Sequence, residues 1–300
     1  MSSRPLPRIG RVWPLGLAWA CLAAAAEPGP DVAVHVVQEK PYAEQGRVEL
    51  VLYPVVPQLN GRFTDHLGTL GSVVWHLQEN FGLLLTGGGN WLTRESAFNA
   101  ELATRAQVSA QAASSLLWTW GLLGGVEVSP LYGKFAWFDD TLLHFSVVIS
   151  AAAGAGGTRH QLKPAVTRDD GSTSPASYGD TGVKFLGSLS LGLRLRLGEH
   201  LAVRLEVRDV VYTARVEQVN GCGLQDLQSM EAQLGASLPL ESAPVGSGCD
   251  LRAFLGRTPG GDARSVDVPL AYQLVRGDNG VPSSDVLNNI GVYLGVSFLF

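Results

Sequence analysis

Apolar and polar residues alternate along the last stretch of the chain, which reads NNIGVYLGVSFLF from Asn288 to Phe300. A period of two residues is the period of a β-strand, so this pattern predicts a strand that ends the chain. One face is wholly apolar and the other is smaller and mixed. The apolar face comprises Ile290, Val292, Leu294, Val296, Phe298 and Phe300, and the mixed face comprises Gly291, Tyr293, Gly295, Ser297 and Leu299.

The same alternation recurs in seven earlier stretches, which cover residues 47–59, 62–77, 81–91, 118–137, 143–154, 184–197 and 201–212. In each stretch one face carries bulky apolar residues and the other carries small or polar ones. On residues 118–128, for example, the apolar face is assigned Trp118, Trp120 and Leu122. The sequence therefore predicts an all-β fold with eight antiparallel strands.

The predicted connections alternate in length along the chain. Those between strands two and three, four and five, and six and seven are short, and three of the other four are long. Tight turns are expected at residues 78–80, 138–141 and 198–200, whereas long loops are expected at about 93–117, 157–182 and 217–286. The first long-side connection, residues 58–61, is the exception because it is short, and residues 95–115 have helical character. Short turns on one side and longer loops on the other are typical of outer-membrane barrels. We therefore predict a single eight-stranded antiparallel transmembrane β-barrel with short periplasmic turns and long outer loops.

A soluble β-sandwich or lipocalin-like barrel is the competing fold, since it also uses many alternating strands. The residue types on the two faces favour the membrane barrel, in which the bulky apolar face meets lipid and small residues fill a narrow interior. The charged fraction is 16%, below the roughly 25% of a typical soluble domain.

The N-terminus has the features of a secretory signal peptide. Three arginines precede an apolar run that ends at the Ala24-x-Ala26 site, which predicts a signal peptide at residues 1–26. A periplasmic segment at 27–45 and the barrel at 46–300 would follow, with the cell outer membrane as the location. Cys21 leaves open the alternative that the protein is a lipoprotein with Cys21 as the lipidated residue. No apolar run of helix-spanning length follows Ala26 in the sequence.

Two cysteines remain after the signal peptide, and both lie in the long polar stretch 217–286. In an exported chain this arrangement favours a Cys222–Cys249 disulfide, with reduced thiols and metal ligation as weaker alternatives. The sequence points to no metal site, cofactor or catalytic residue, and a net charge of -5 gives no reason to expect nucleic acid as a partner.

Seven charged residues fall on the faces assigned to the barrel interior. Charges in a medium of low dielectric are costly unless they are paired, so we expect a lumen network of ion pairs. A charge-lined conduit for small anions is the alternative reading. The predicted network comprises Glu49, Glu127, Arg194, Arg196, Arg204, Glu206 and Arg208.

Three histidines, His66, His76 and His144, are also assigned to the interior face. Together with Ser146 or Ser150 they raise the possibility of a hydrolase acting on lipid or peptide. No Gly-x-Ser-x-Gly element supports that reading, so interior histidines with satisfied hydrogen bonds are the favoured interpretation.

Several stretches resemble the outer-membrane β-barrel domain family common in gliding delta-proteobacteria. They are HLGTLGSVVWHLQENFGLLLTGGGNW, EVSPLYGKFA, RLEVRDVVYTARVEQVNGC and SDVLNNIGVYLGVSFLF, and the resemblance would run from about Gln38 to Phe300. The end of the chain, Tyr293-x-Gly295-x-x-Phe298-x-Phe300, resembles the insertion signal of such barrels.

The resemblance implies a structural, anchoring or interaction role in the envelope, and some members of the family belong to motility or transport assemblies. The implied partners are outer-membrane lipid, the barrel-assembly machinery and other envelope proteins. A narrow channel for small solutes or ions is the alternative function.

Overall fold

The computed structural model of the protein describes residues 43–61, 63–98, 116–137, 141–163, 165–167, 171–255, 268–277 and 286–300. The predicted signal peptide lies outside these residues, as does most of the predicted helical stretch 95–115.

Eight strands form one antiparallel sheet that closes into a ring, which confirms the predicted all-β fold and strand count. The last strand lies between the first and the seventh ring strands, as the sequence predicts, and Leu50 faces Phe298 across the closing pair. The ring strands are β1 (Val48–Pro57), β2 (Thr64–Gln78), β3 (Phe81–Glu95), β4 (Leu117–Trp137), β5 (Thr141–Lys163), β8 (Ser177–Arg196), β9 (Leu201–Thr213) and β10 (Val286–Leu299). Their order around the ring is β1-β10-β9-β8-β5-β4-β3-β2, while β6 (Val166–Thr167) and β7 (Thr173–Ser174) form a separate pair.

Burial alternates along the ring strands with the period of the sequence pattern. On β10, Leu294 and Phe298 are 58% and 49% exposed, whereas Ser297 between them is 2% exposed. Most of the exposed side chains on the ring strands are large and apolar, whereas the interior holds polar and charged side chains together with buried apolar ones such as Leu70 and Leu186. Both sides carry defined residue types, so a slip of one residue in register would exchange them.

The assignment of Trp118 to the outward face is wrong. The pairing of β4 with β5 shifts between Trp118 and Trp120, so Thr119 is an extra residue on β4. A bulge of this kind reverses the alternation. Trp118 is consequently buried at 3% exposure and donates its indole N–H to the carbonyl of Trp120, whose own side chain stays outward.

The connections sort onto two ends of the ring. At one end β2 joins β3 through residues 79–80, β8 joins β9 through residues 197–200, and Trp137 at the end of β4 faces Thr141 at the start of β5. This end is called the short-turn end, and the chain enters and leaves the ring there. At the other end, β5 continues to Lys163 and β8 begins at Ser177, so much of the predicted loop 157–182 is extended strand. These residues are rich in glycine and threonine and lack an apolar face, which is why alternation did not reveal them.

Residues 214–255 and 268–277 form a helical cap at the long-connection end. It contains α1 (Leu224–Gly235), a 3-10 helix (Leu240–Ser242), α2 (Arg252–Leu255) and α3 (Val268–Arg276), where the sequence predicted an irregular loop. The predicted Cys222–Cys249 disulfide is present within the cap. Among the described residues no helix is long and apolar enough to cross a membrane.

Candidate functional site

The interior of the ring holds a cluster of ion pairs at its short-turn end and centre. Four arginines and four glutamates take part, and each of their side chains is at most 5% exposed. They belong to two contiguous groups. The short-turn cluster comprises Glu44, Glu49, His76, Arg194 and Arg196, and the central cluster comprises Tyr53, Glu127, Arg204, Glu206 and Arg208.

Arg194 is the hub of the short-turn cluster. Its Nη1 lies 2.6 Å from Glu49, and its Nη2 lies 2.8 Å from both carboxylate oxygens of Glu44. Its Nε donates to the hydroxyl of Ser146 at 3.1 Å. Arg196 also pairs with Glu44, and His76 Nε2 lies 3.0 Å from Glu49. Because arginine presents its donors in a rigid fork, the two glutamates both balance its charge and fix the orientation of its side chain.

Arg204 is the hub of the central cluster. Its Nη2 lies 2.6 Å from Glu127 and its Nε lies 3.1 Å from Glu206. Arg208 donates to the other oxygen of Glu206 at 2.9 Å, and the hydroxyl of Tyr53 donates to the first. The carboxylate of Glu206 is therefore bound on both oxygens, which offsets the cost of burying its charge.

Glu49 joins the two clusters. Arg194 and Arg204 lie directly opposite each other on β8 and β9, an arrangement that is destabilising for like charges. Glu49 contacts both, at 2.6 Å to Arg194 and 3.3 Å to Arg204. A single carboxylate thus bridges the two guanidinium groups, and the network is continuous from the short-turn end to the middle of the ring.

Two tyrosines stand beside the central cluster. Tyr53 and Tyr293 meet edge to face with ring centroids 5.5 Å apart, and the guanidinium of Arg208 lies 5.1 Å from the Tyr293 ring. A side chain at Gly295 would collide with Tyr53, since a Cβ atom there would lie 2.6 Å from the tyrosine ring. The glycine of the C-terminal pattern therefore makes room for an interior aromatic ring.

Beyond the tyrosines the interior becomes apolar and merges with the cap. Leu70, Leu123, Leu186 and Tyr212 of the ring belong to the same buried cluster as Met230 of the cap. The Tyr212 hydroxyl donates to the Leu116 carbonyl at 2.8 Å. The other cap residues in this cluster are Val216, Val219, Cys222, Leu227, Leu240, Ala243, Phe254, Val268, Ala271 and Val275. The ring interior is thus occupied by ion pairs in one part and by a hydrophobic core in the other.

All seven charged residues that the sequence placed in the interior lie in this network. The sequence did not assign Glu44 or Tyr53 to it. Glu44 precedes β1, so no alternation could give it a side, and its only sequence signal is its place just before a strand with an inward glutamate. Tyr53 shares the inward face of β1 with Glu49, and that position was available from the alternation.

The histidines and serines considered for hydrolysis are engaged in separate contacts. His66 Nδ1 lies 2.6 Å from Gln58, and its Nε2 accepts a hydrogen bond from the Trp118 backbone. His144 stacks on Tyr132. Ser150 bonds Ser190 at 2.6 Å, which is a contact across β5 and β8. The contacts hold these side chains as parts of the interior packing.

Within the described part of the chain, no group of three or more His, Cys, Asp and Glu residues is arranged to hold a metal ion. Comparison with protein-family models and with curated proteins finds no match to the chain.

Proposed function

We propose that the protein is an integral outer-membrane β-barrel with a structural, anchoring or interaction role in the cell envelope. The observation that supports this most is the inverted polarity of the ring. The arginines and glutamates of the ion-pair network are buried inside, whereas Leu52, Trp75, Leu191 and Leu294 are each at least half exposed on the outside. A soluble protein rarely exposes apolar surface on this scale, and a membrane barrel requires it.

The outward face of β10 has the length that a membrane strand needs. Its apolar positions extend from Ile290 to Phe300, which is eleven residues. A tilted transmembrane strand needs about 9–11 residues. Asn288, two residues before Ile290, lies on the same face, and its side-chain amide donates to the carboxylate of Asp209 at 3.1 Å. This polar pair would mark the outer border of the lipid-facing belt.

Exposed aromatic residues lie toward both ends of the belt. Trp91 and Trp120 are 63% and 49% exposed toward the long-connection end, and Trp75 and Phe298 are 50% and 49% exposed toward the short-turn end. Two aromatic girdles, one at each membrane interface, are a feature of outer-membrane barrels. The arrangement favours a membrane normal that runs through the ring, with the short turns on the periplasmic side.

A structural role is favoured over the channel because side chains fill the interior along its length. The ion-pair network, the tyrosine pair and the apolar cluster follow one another from the short-turn end to the cap. An eight-stranded barrel has an interior just wide enough for such side chains. The surface left for partners is then the cap and the short-turn rim.

The insertion signal remains part of this proposal. Phe298 and Phe300 point outward, while Tyr293 and Gly295 point inward and shape the contact with Tyr53. The outward direction of the two phenylalanines supports a contact with lipid and with the barrel-assembly machinery, and membership of the family named above is proposed on the same residues.

Reconstitution in planar lipid bilayers tests the structural role against the channel. We expect no single-channel conductance above background, because both the charged and the apolar parts of the interior are packed. A second variant lacks residues 227–234 of the cap and therefore most of α1. It tests whether the cap helps to close the interior of the ring. Discrete, salt-dependent conductance steps from the unaltered protein would contradict the structural role and favour the channel.

A further inference from the structure

Glu44 differs from the other three carboxylates of the network in how the backbone holds it. Glu49, Glu127 and Glu206 lie on β1, β4 and β9, where the sheet fixes them. Glu44 belongs to residues 43–47, which directly precede β1 and are called the strap. Its carboxylate is the one member of the network that could leave without breaking a ring strand.

Polar contacts at the short-turn end hold the strap in place. The backbone N–H groups of Glu44 and Gln45 donate to the carboxylate of Glu79, at 3.1 Å each. The Gly46 N–H donates to the carbonyl of His76 at 2.8 Å. Glu79 lies in the turn between β2 and β3, so the strap is fastened to the rim of the ring rather than built into its wall.

The side chain of Glu44 enters the ring from this rim. Both of its oxygens lie 2.8 Å from Nη2 of Arg194, and one also pairs with Arg196. His76 Nδ1 lies 3.8 Å away. Two guanidinium groups that converge on one carboxylate are the arrangement by which proteins recognise carboxylate ligands. Glu44 itself is 1% exposed, so the contact is fully desolvated.

We infer that Arg194, Arg196 and His76 form a carboxylate-binding site at the short-turn end, which the chain's own Glu44 occupies. When the strap withdraws, the network holds four arginines against three glutamates, and the excess positive charge attracts an anion. The ligand class is a small carboxylate, since Glu44 fills the site with a carboxylate group alone. The site depends only on the folded ring, so it stands whether or not the ring spans a membrane.

Chemical rescue of Glu44→Ala tests the site. The purified full chain, folded in detergent, is heated with acetate, phosphate or chloride at equal ionic strength. Without added anion, Glu44→Ala is expected to unfold at a lower temperature than the unaltered protein. Acetate should raise its midpoint by about 5 °C when its concentration reaches roughly a hundred times its Kd. The unaltered protein should respond to acetate no more than to chloride, because its site is filled.

Two further variants make the result specific. In Glu44→Ala combined with Arg196→Met the acetate response should be lost, because one of the two guanidinium groups is gone. Glu79→Ala keeps the whole ion-pair network but releases the strap, so it should gain a smaller acetate response of its own. Glu79→Ala also tests the site if Glu44→Ala fails to fold. The inference is overturned if a folded Glu44→Ala or Glu79→Ala responds to acetate only as the unaltered protein does, or if phosphate and chloride act as well as acetate.

Discussion

Replacing Arg204 by methionine is expected to lower the free energy of unfolding by about 3–5 kcal/mol, the usual cost of removing one partner from a buried ion pair. Arg204 contacts Glu49, Glu127 and Glu206 at 3.3, 2.6 and 3.1 Å. Glu49 and Glu206 keep other arginines after the change. Glu127 does not, since Arg204 is its ion-pair partner among the described residues and its Oε1 has no hydrogen-bond partner there. A buried carboxylate would remain without a counter-charge.

Equilibrium unfolding in urea measures this loss. The matched control is Arg215→Met, which removes an arginine from a 3.1 Å pair with Glu217 in which both side chains are more than half exposed. Exposed pairs contribute about 0–1 kcal/mol, so the control should change little. Adding Glu127→Gln to Arg204→Met should restore part of the stability because it removes the stranded charge. Equal effects of Arg204→Met and Arg215→Met would contradict the account of the interior.

Replacing Leu205 by arginine is expected to impair insertion of the ring into lipid. Leu205 is 49% exposed on β9 and pairs with Leu294 near the middle of the outward apolar face. An arginine on the lipid face costs about 2–4 kcal/mol at the membrane midplane. The substitution touches no interior contact, so its effect depends on the medium that surrounds the ring.

Leu238→Arg is the control for that substitution, because Leu238 is 52% exposed but lies in the cap. Folding into lipid vesicles, followed by the change in gel mobility between heated and unheated samples, measures the difference. Leu205→Arg should reduce the folded fraction several-fold, and Leu238→Arg should leave it unchanged. If both variants fold into vesicles equally well, the outward face of β9 does not meet lipid.

The sequence was sufficient for the ring because one physical rule governs its strands. Each strand has one side toward the interior of the ring and one toward the outside. Buried and exposed residues therefore alternate, as Tyr293 and Leu294 show. The rule fails where pairing is irregular. Trp118 was placed on the wrong side because the bulge at Thr119 is set by the register with β5, which the composition of β4 does not reveal.

The interior network was predictable for residues on strands and not for the strap. Glu44 reaches Arg194 from outside the sheet, and its position depends on backbone bonds to the Glu79 side chain. No periodicity encodes such a contact. The cap is a different case, since Leu227 and Met230 of α1 are buried at a spacing of three residues. That helical period was present in the sequence but is short and lies among polar residues.

Site-directed spin labelling in vesicles shows directly whether the outward face of the ring contacts lipid. Nitroxides are attached at cysteines that replace Leu191, Leu205 and Leu294, with Leu238 as the cap control. Their collision rates with dissolved oxygen, which concentrates in lipid, are compared with those of a water-soluble nickel complex. If the outward face lies in lipid, we expect high oxygen and low nickel accessibility at the three ring positions and high nickel accessibility at Leu238. High nickel accessibility at Leu191, Leu205 and Leu294 would place that face in water and rule out a membrane barrel.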